Sequence, residues 1–230
     1  MGGAVAPGDP GGPAGATALT DGPRRSSLLQ ERSRRTRQAL VKAALRLWAE
    51  RGFERGIEET TAEEIAAAAG VTKGTFYFHF ARKEDILREL GWGASAALLR
   101  DARAAMASGR PTTEVVHTMV RGLARRVGKV DAVAVRRSVA EFYRGASVRP
   151  VDDEHVGFRT SFLEVLAYAR ERGDLAPTAD VDDLASVFGA LTLDAILTSS
   201  ADADLAAVLV RRLDLVLAGA EVRTRVAAEG

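Results

Sequence analysis

Cysteine is missing from all 230 residues, which removes disulfides, thiolate metal sites and cysteine nucleophiles together and leaves a reducing compartment, the cytoplasm, as the natural home. No run reaches the length of about 18 apolar residues that a membrane-spanning helix needs. The first residues are rich in Gly and Pro and carry neither the basic start nor the apolar centre of an export signal. Catalytic motifs are equally scarce: there is no Gly-rich phosphate loop, no His-Glu metal motif and no Gly-x-Ser-x-Gly elbow. Hardly any stretch alternates β-branched with polar residues, so a substantial sheet is not expected. No internal repeat is visible. A helical binding protein remains, with catalytic residues, metal and cofactor all expected to be none and no membrane partner.

Residues 1–25 are dominated by Gly, Pro and Ala, with too little apolar surface to offset the entropy of ordering them, and are expected to form a disordered tail. The formal net charge of +1 says little. Its distribution says more, because Arg24, Arg25, Arg32, Arg34, Arg35 and Arg37 fall in one short stretch opposed only by Glu31. Such a cluster suits a phosphate backbone, although a solvated basic arm would read the same way. Beyond it, Ala, Leu, Arg, Glu and Val recur at helical spacing. From Ser33 to Arg51 the apolar positions Leu40, Ala44, Leu47 and Trp48 lie on one face, predicting a helix that ends near Gly52 with Trp48 in the core. A second helix opens at Thr61, where Thr-Ala-Glu-Glu supplies a capping box, and runs to Gly70. A third, short helix begins at the N-cap Thr72 and ends near His79. A long helix follows from Lys83 to about Met106.

After Pro111 the amphipathic segments are about 112–128, 131–145, 153–172, 181–199 and 203–219, with breaks at Gly109 to Pro111, Gly128, Arg149-Pro150, Gly173 and Pro177. The fold class is therefore all-α, with an N-terminal three-helix unit over residues 26–90 and a C-terminal helical bundle over 91–230.

The informative stretch is Thr60 to Phe80, TTAEEIAAAAGVTKGTFYFHF. A capped helix, a tight turn at Gly70 and a second capped helix form the helix-turn-helix unit that presents its second helix to the major groove of DNA. Ile65, Val71 and Phe76 would make its small core. Lys73, Gly74, Thr75, Tyr77 and His79 are left outside, where they can donate to phosphates and reach base edges, and Gly74 lets the backbone come near the DNA.

At these residues the chain resembles the TetR family of bacterial regulators, from about Arg34 to about Leu90, through ALRLWAERGF, TTAEEIAAAAGVTKGTFYFHF and the following RKEDIL. The resemblance implies that Lys73, Gly74, Thr75 and Phe78 lie at or near base edges, that Tyr77, His79 and Lys83 hold phosphates, and that Thr61 touches the DNA backbone; Thr72 is counted in the same contact set. Tyr77 and His79 could instead simply pack the short helix. Phe78 has two open placements, against a thymine methyl or sugar or folded back on the first helix. Between Phe53 and Thr60 the connection ERGIEE is longer than the family commonly shows, so either the first helix extends or the loop bulges.

The resemblance fades after about Leu90. In such regulators the long fourth helix joins the DNA-binding head to a ligand cavity, and the last two helices pair with those of a second subunit. This implies a homodimer on a palindromic, double-stranded DNA operator, acting as a repressor that a small-molecule effector releases. Leu184, Phe188 and Leu191 on one segment and Leu209, Leu213 and Val216 on the next are the expected interface, since extra apolar positions at Val187, Leu193, Leu197 and Leu215 suggest burial on two sides. Trp92, Met106, His117, Met119 and Phe142 are candidate pocket residues, together with Tyr143, His155, Phe158, Phe162 and Tyr168, because a small-molecule site needs mostly apolar walls with a few polar handles. The competing readings are a DNA-binding or architectural protein with no ligand and, from another class, an all-helical enzyme. A cavity lined by these residues favours sensing, whereas a fully packed body favours the first alternative.

Overall fold

The computed structural model describes residues 22–145, 157–200 and 203–228. Among these the fold is helical throughout. Helix α1 runs Gly22–Arg51, α2 Phe53–Glu59, α3 Ala62–Ala68 and α4 Lys73–His79; a short 3-10 turn, Lys83–Asp85, leads into α5, Ile86–Ala107. The body adds α6 Thr112–Val127, α7 Ala132–Gly145, α8 Phe158–Glu171, α9 Val181–Thr198 and α10 Leu205–Ala228. None of the described helices is long and apolar enough to cross a membrane.

Several boundaries differ from expectation. Helix α1 starts at Gly22, well before Ser33, and takes in the end of the segment assigned to a tail; residues 1–21 lie outside the described residues. The sequence there, Leu28 to Arg35, consists largely of good helix formers, and Glu31 pairs with Arg35 one turn on. Helix α8 begins at Phe158 rather than near 153, with 146–156 not described, and α10 continues to Ala228. The long connection after Phe53 is neither an extension of the first helix nor a bulge. Gly52, at φ 79°, breaks α1, and FERGIEE forms the separate helix α2.

Two cores sit at opposite ends of α5. In the head, Leu40, Ala44, Trp48, Ile65, Phe76 and Ile86 are fully buried. In the body, Leu98, Met119, Phe162, Phe188, Leu209 and Leu213 are fully buried in one cluster. Because α5 contributes Ile86 and Leu87 to the first cluster and Leu98 to Ala105 to the second, it is a continuous rod from head to body.

Helix α2 lies hard against α1 at Gly56, where an added Cβ would stand 2.6 Å from the Trp48 carbonyl oxygen and 2.7 Å from Trp48 Cα. Those are backbone atoms and cannot swing away. Gly56→Ala is therefore expected to destabilise the fold by about 1–3 kcal/mol, as overpacking of a core does; urea unfolding at parental stability would show that α2 is not seated this way.

Candidate nucleic-acid interface

The pair α3 and α4 is held by local chemistry before any tertiary contact. Thr61 accepts from the Glu64 amide at 3.2 Å, and the Glu64 carboxylate accepts from the Thr61 amide at 2.7 Å, which completes the expected capping box. Arg51, at the end of α1, grips the same carboxylate at 2.5 and 3.4 Å. Gly70 turns the chain at φ 71°, and the Val71 amide donates back to Ala66 at 2.9 Å. Thr72 then caps α4 by accepting from the Thr75 amide at 3.1 Å, while the two threonine hydroxyls meet at 2.9 Å.

Phe76 on α4 and Phe80, which caps its end one turn on, go inward and are fully buried. Each buries enough apolar surface for about 1.5–3 kcal/mol. The side between them faces out: Tyr77 is half exposed and Phe78 is 80% exposed. Of the two placements open for Phe78, folding back on α1 is therefore excluded. Gly74 is also on the outside, and an added Cβ would meet only Thr72 Oγ1 at 3.7 Å, so the backbone there is accessible.

The charged members of the set are less free than the sequence suggests. Lys73 pairs with Glu63 on α3, and that contact raises the ammonium's pKa and lowers the carboxyl's. Lys83 donates to the carbonyls of Glu58 at 2.6 Å and Thr60 at 2.9 Å, closing the end of α2. Thr61 spends its hydroxyl within the capping box. Burial first, and the neighbouring Arg37 second, lower the pKa of His79 and so favour its neutral imidazole.

Arg37 itself, grouped by sequence with the phosphate-facing arginines, is turned inward. Its Nε and Nη2 donate to Glu89 at 2.9 and 2.5 Å, its Nη1 donates to the His79 carbonyl at 2.9 Å, and its guanidinium lies 4.4 Å from the Phe80 ring centre. One side chain thus joins α1, the end of α4 and α5. No local spacing announces this role, since its partners are 42 and 52 residues away.

In the body, a cavity of about 270 Å³ lies among α5, α6, α7, α8 and α9. Phe142 and Phe158 line it, meeting edge to face at 6.0 Å. The other described candidates do not. Met119 and Phe162 are fully buried core, because their helices turn them toward the packed interior, and Met106 packs at its edge. His117 faces Asp214 of α10 at 2.8 Å, Tyr168 donates its hydroxyl to the Arg110 carbonyl at 2.9 Å, Trp92 lies 5.8 Å from the Arg88 guanidinium, and Tyr143 is exposed. His155 lies outside the described residues. The walls that sequence reasoning missed are Leu90, Ala94, Leu123, Val139, Leu193 and Ile196, ordinary aliphatic residues that nothing in the sequence distinguishes from core.

Helix α7 is two-faced. Val135, Ser138, Val139 and Phe142 border the cavity, while Arg137 reaches Glu58 of α2 at 2.7 Å and Glu141 accepts from Arg82 at 3.1 Å. The Ser138 hydroxyl also donates to the Leu87 carbonyl at 2.8 Å.

The expected interface set needs correction. Phe188, Leu209 and Leu213 are fully buried within their own protomer, because that stripe of α9 and α10 packs against α6 and α8. Leu184, Leu191 and Val216 keep part of their surface, and Val187 and Leu215 are exposed, the latter at 75%.

Residues 40–90 match the family described as bacterial regulatory proteins, tetR family. Over 61 residues the chain is 39% identical to the HTH-type transcriptional regulator AcrR of Shigella flexneri, a match covering 26% of each protein. Over 156 residues it is 27% identical to the probable acrEF/envCD operon repressor of Escherichia coli (strain K12), covering 64% of this chain and 68% of that one. AcrR and the Brucella suis repressor BepR are thus matched over only about a quarter of their own length. Among solved structures, Thermus thermophilus FadR, a TetR family transcriptional repressor in complex with lauroyl-CoA, superposes with a TM-score of 0.63 at 29% identity, covering 79% of this chain and 93% of that chain.

The carboxyl of Glu64 carries a testable consequence. Its bonds from Arg51 and from the Thr61 amide lower its pKa from the ordinary 4.5 to about 2. A carboxylate depressed in the folded state stabilises it fully above the unfolded value and loses that contribution as pH falls toward the folded value. Stability measured by urea unfolding should therefore decline between about pH 4.5 and 2 more steeply in the parent than in Glu64→Gln. Parallel profiles would remove the capping box as a source of acid sensitivity.

Proposed function

We propose that the chain, whose residues 40–90 match the tetR family of bacterial regulatory proteins, is a cytoplasmic transcriptional repressor that binds a palindromic operator as a homodimer and leaves it when a small molecule fills the cavity of the body. The observation that carries the reading is the outward face of α4. Phe78, a large apolar side chain 80% exposed on a capped helix whose Phe76 is fully buried, costs solubility unless it has a partner, and thymine methyls or sugars in a major groove supply one. Tyr77 and neutral His79 add donors for phosphate oxygens, and Lys73 adds a cation once it parts from Glu63. Lys83, with two of its three protons given to carbonyls, retains one for a phosphate.

The cavity supports ligand release over a repressor without an effector, and the lauroyl-CoA complex of FadR supports a small-molecule effector in this fold. Occupation of the cavity would press on α7, and α7 holds the head through Arg137 to Glu58 and Glu141 to Arg82, so an outward shift of α7 would carry α2 and the turn after α4 with it. A preference of about 1–3 kcal/mol for the released geometry would change operator affinity some 5- to 150-fold.

The test is binding of a selected operator at several salt concentrations. Lys73→Ala should weaken binding and reduce the salt slope by about one unit per subunit. Glu63→Gln should do the opposite and tighten it, because it frees the Lys73 ammonium. Phe78→Ala should relax the base preference. Parental behaviour of all three variants would remove α4 as the reading helix.

Dimerisation is proposed through the exposed face of α9 and α10, where Leu184, Val187, Leu191, Leu215 and Val216 stand. Leu215→Asp should give folded monomers in sedimentation, whereas Leu213→Asp, which places a carboxylate in the protomer's own core, should unfold the chain. An intact Leu215→Asp dimer would move the interface elsewhere.

A further inference from the structure

The wall that α5 gives to the cavity contains one group that also belongs to the head. Glu89 borders the space, yet its Oε1 receives both bonds from Arg37, from Nε at 2.9 Å and from Nη2 at 2.5 Å. Arg37 in turn donates to the carbonyl of His79, the last residue of α4, and covers the Phe80 ring. Two contacts therefore separate the cavity wall from the end of α4. Both side chains are largely shielded, Glu89 at 20% exposure and Arg37 at 29%, so the pair is held by more than a solvated surface contact.

The other polar side chains of that wall have little left to offer. Ser138 gives its hydroxyl proton to the Leu87 carbonyl, and Arg126 Nη2 holds Asp101 at 2.6 Å. Arg126 Nη1 lacks a partner but is sealed from solvent, so a ligand does not reach it without displacing the wall. Glu89 Oε2 differs from both, because it has no hydrogen-bond partner among the described residues and remains accessible. A ligand that fills the space takes solvent away from this charged oxygen. A pure hydrocarbon leaves it unpaired at the full cost of desolvation, and an acceptor group adds repulsion. A donor restores what solvent supplied, as a charge-assisted bond.

We propose that Glu89 is the polar subsite of the cavity, that it accepts from the hydrogen-bond donor of an otherwise apolar effector, and that this contact weakens its hold on Arg37 and so loosens the far end of α4. This rests on the reading of the body as the effector domain. A carboxylate shared between two donors holds each less firmly, and Arg37 released from Glu89 no longer fixes the His79 carbonyl in place. The route runs along α5 and α1 and needs no movement of α7.

Two glycines in the same wall allow a test that needs no known effector. At Gly91 an added Cβ would stand 3.1 Å from Phe142 Cδ2, whereas at Gly93 it meets nothing within 4 Å. Gly93 follows Glu89 by four residues on α5, the spacing and order at which a cation on a helix pairs with a glutamate. Gly93→Lys therefore tethers an ammonium donor beside Glu89, Gly93→Gln an uncharged one, and Gly93→Met fills the same space with no donor. The full chain and each variant are compared in operator affinity and in hydrogen exchange of the Tyr77 to Phe80 amides. Gly93→Lys should bind operator about fivefold or more weakly than Gly93→Met and exchange faster at those amides, although an added cation by itself favours DNA. In a Glu89→Gln or an Arg37→Gln background the lysine and methionine substitutions should become equal, a result that simple loss of stability would not give. Gly93→Gln separates the two donor chemistries: behaviour like Gly93→Lys admits hydroxyl effectors, and behaviour like Gly93→Met restricts the class to amines. Equal results for Gly93→Lys and Gly93→Met in both measurements, or a difference that persists in Glu89→Gln, would overturn the proposal. Exchange needs no DNA, so faster exchange with unchanged operator affinity keeps the link from Glu89 to α4 and removes α4 as the reading helix.

Discussion

A helix of seven residues is too short to persist alone in water, and α4 has only seven. The surface that the head would present to DNA therefore depends on what holds α4 from outside. Burial of Phe76 and Phe80 fixes which side faces inward, and Arg37 fixes the far end by donating to the His79 carbonyl while its guanidinium covers the Phe80 ring. The same Arg37 is bound by Glu89, a residue that also borders the body cavity. The anchor of the recognition helix and the wall of the ligand space thus share one ion pair, and neither can be rearranged without the other feeling it.

That sharing is reinforced at a second place. Helix α2 is seated on the Trp48 backbone through Gly56, receives Lys83 at its last carbonyls, and offers Glu58 to Arg137 of α7. It lies where the sequence departs from the usual connection between the first two helices of the head. The added residues form a bridge that places α7 against the head as well as against the cavity. Coupling by rigid elements needs parts with few alternative positions, and a short helix clamped on three sides is such a part. A flexible loop of the same length would absorb the displacement of α7 instead of passing it on.

What was legible in the sequence was what is local. The capping threonines Thr61 and Thr72, the partner Glu64 and the turn at Gly70 all act within a few residues, so their chemistry could be read directly and the structure reproduces it. Helix α2 was not legible, because FERGIEE has no capping residue before it and gains its stability from Trp48 and Lys83, which lie in other elements. The cavity was half legible. Aromatic residues were singled out, but only Phe142 and Phe158 face the space, and the remainder of its wall is aliphatic. Helix period alone cannot say which of two buried faces meets the protomer's own core, so from sequence Phe188, Leu209 and Leu213 read as an interface and Leu215 only as an extra apolar position.

The electrostatics of the DNA face follow from the same long-range pairings. Glu63 neutralises Lys73, burial favours the uncharged form of His79, Arg37 is turned inward, and Lys83 is occupied by carbonyls. The proposed recognition face therefore carries less free positive charge than its composition suggests, with Lys73 paired and Lys83 charged but held at the end of α2. On the proposed function, attraction to DNA at long range falls to exposed cations outside α4 such as Arg32 of α1, and the charge of α4 is released when a phosphate competes with Glu63 for Lys73. Non-specific binding depends on the number of phosphates neutralised, and on the proposed function this arrangement would hold it down. On the proposed function, discrimination falls to Tyr77, Phe78 and the exposed backbone at Gly74, whose contacts require the helix to be seated in the groove.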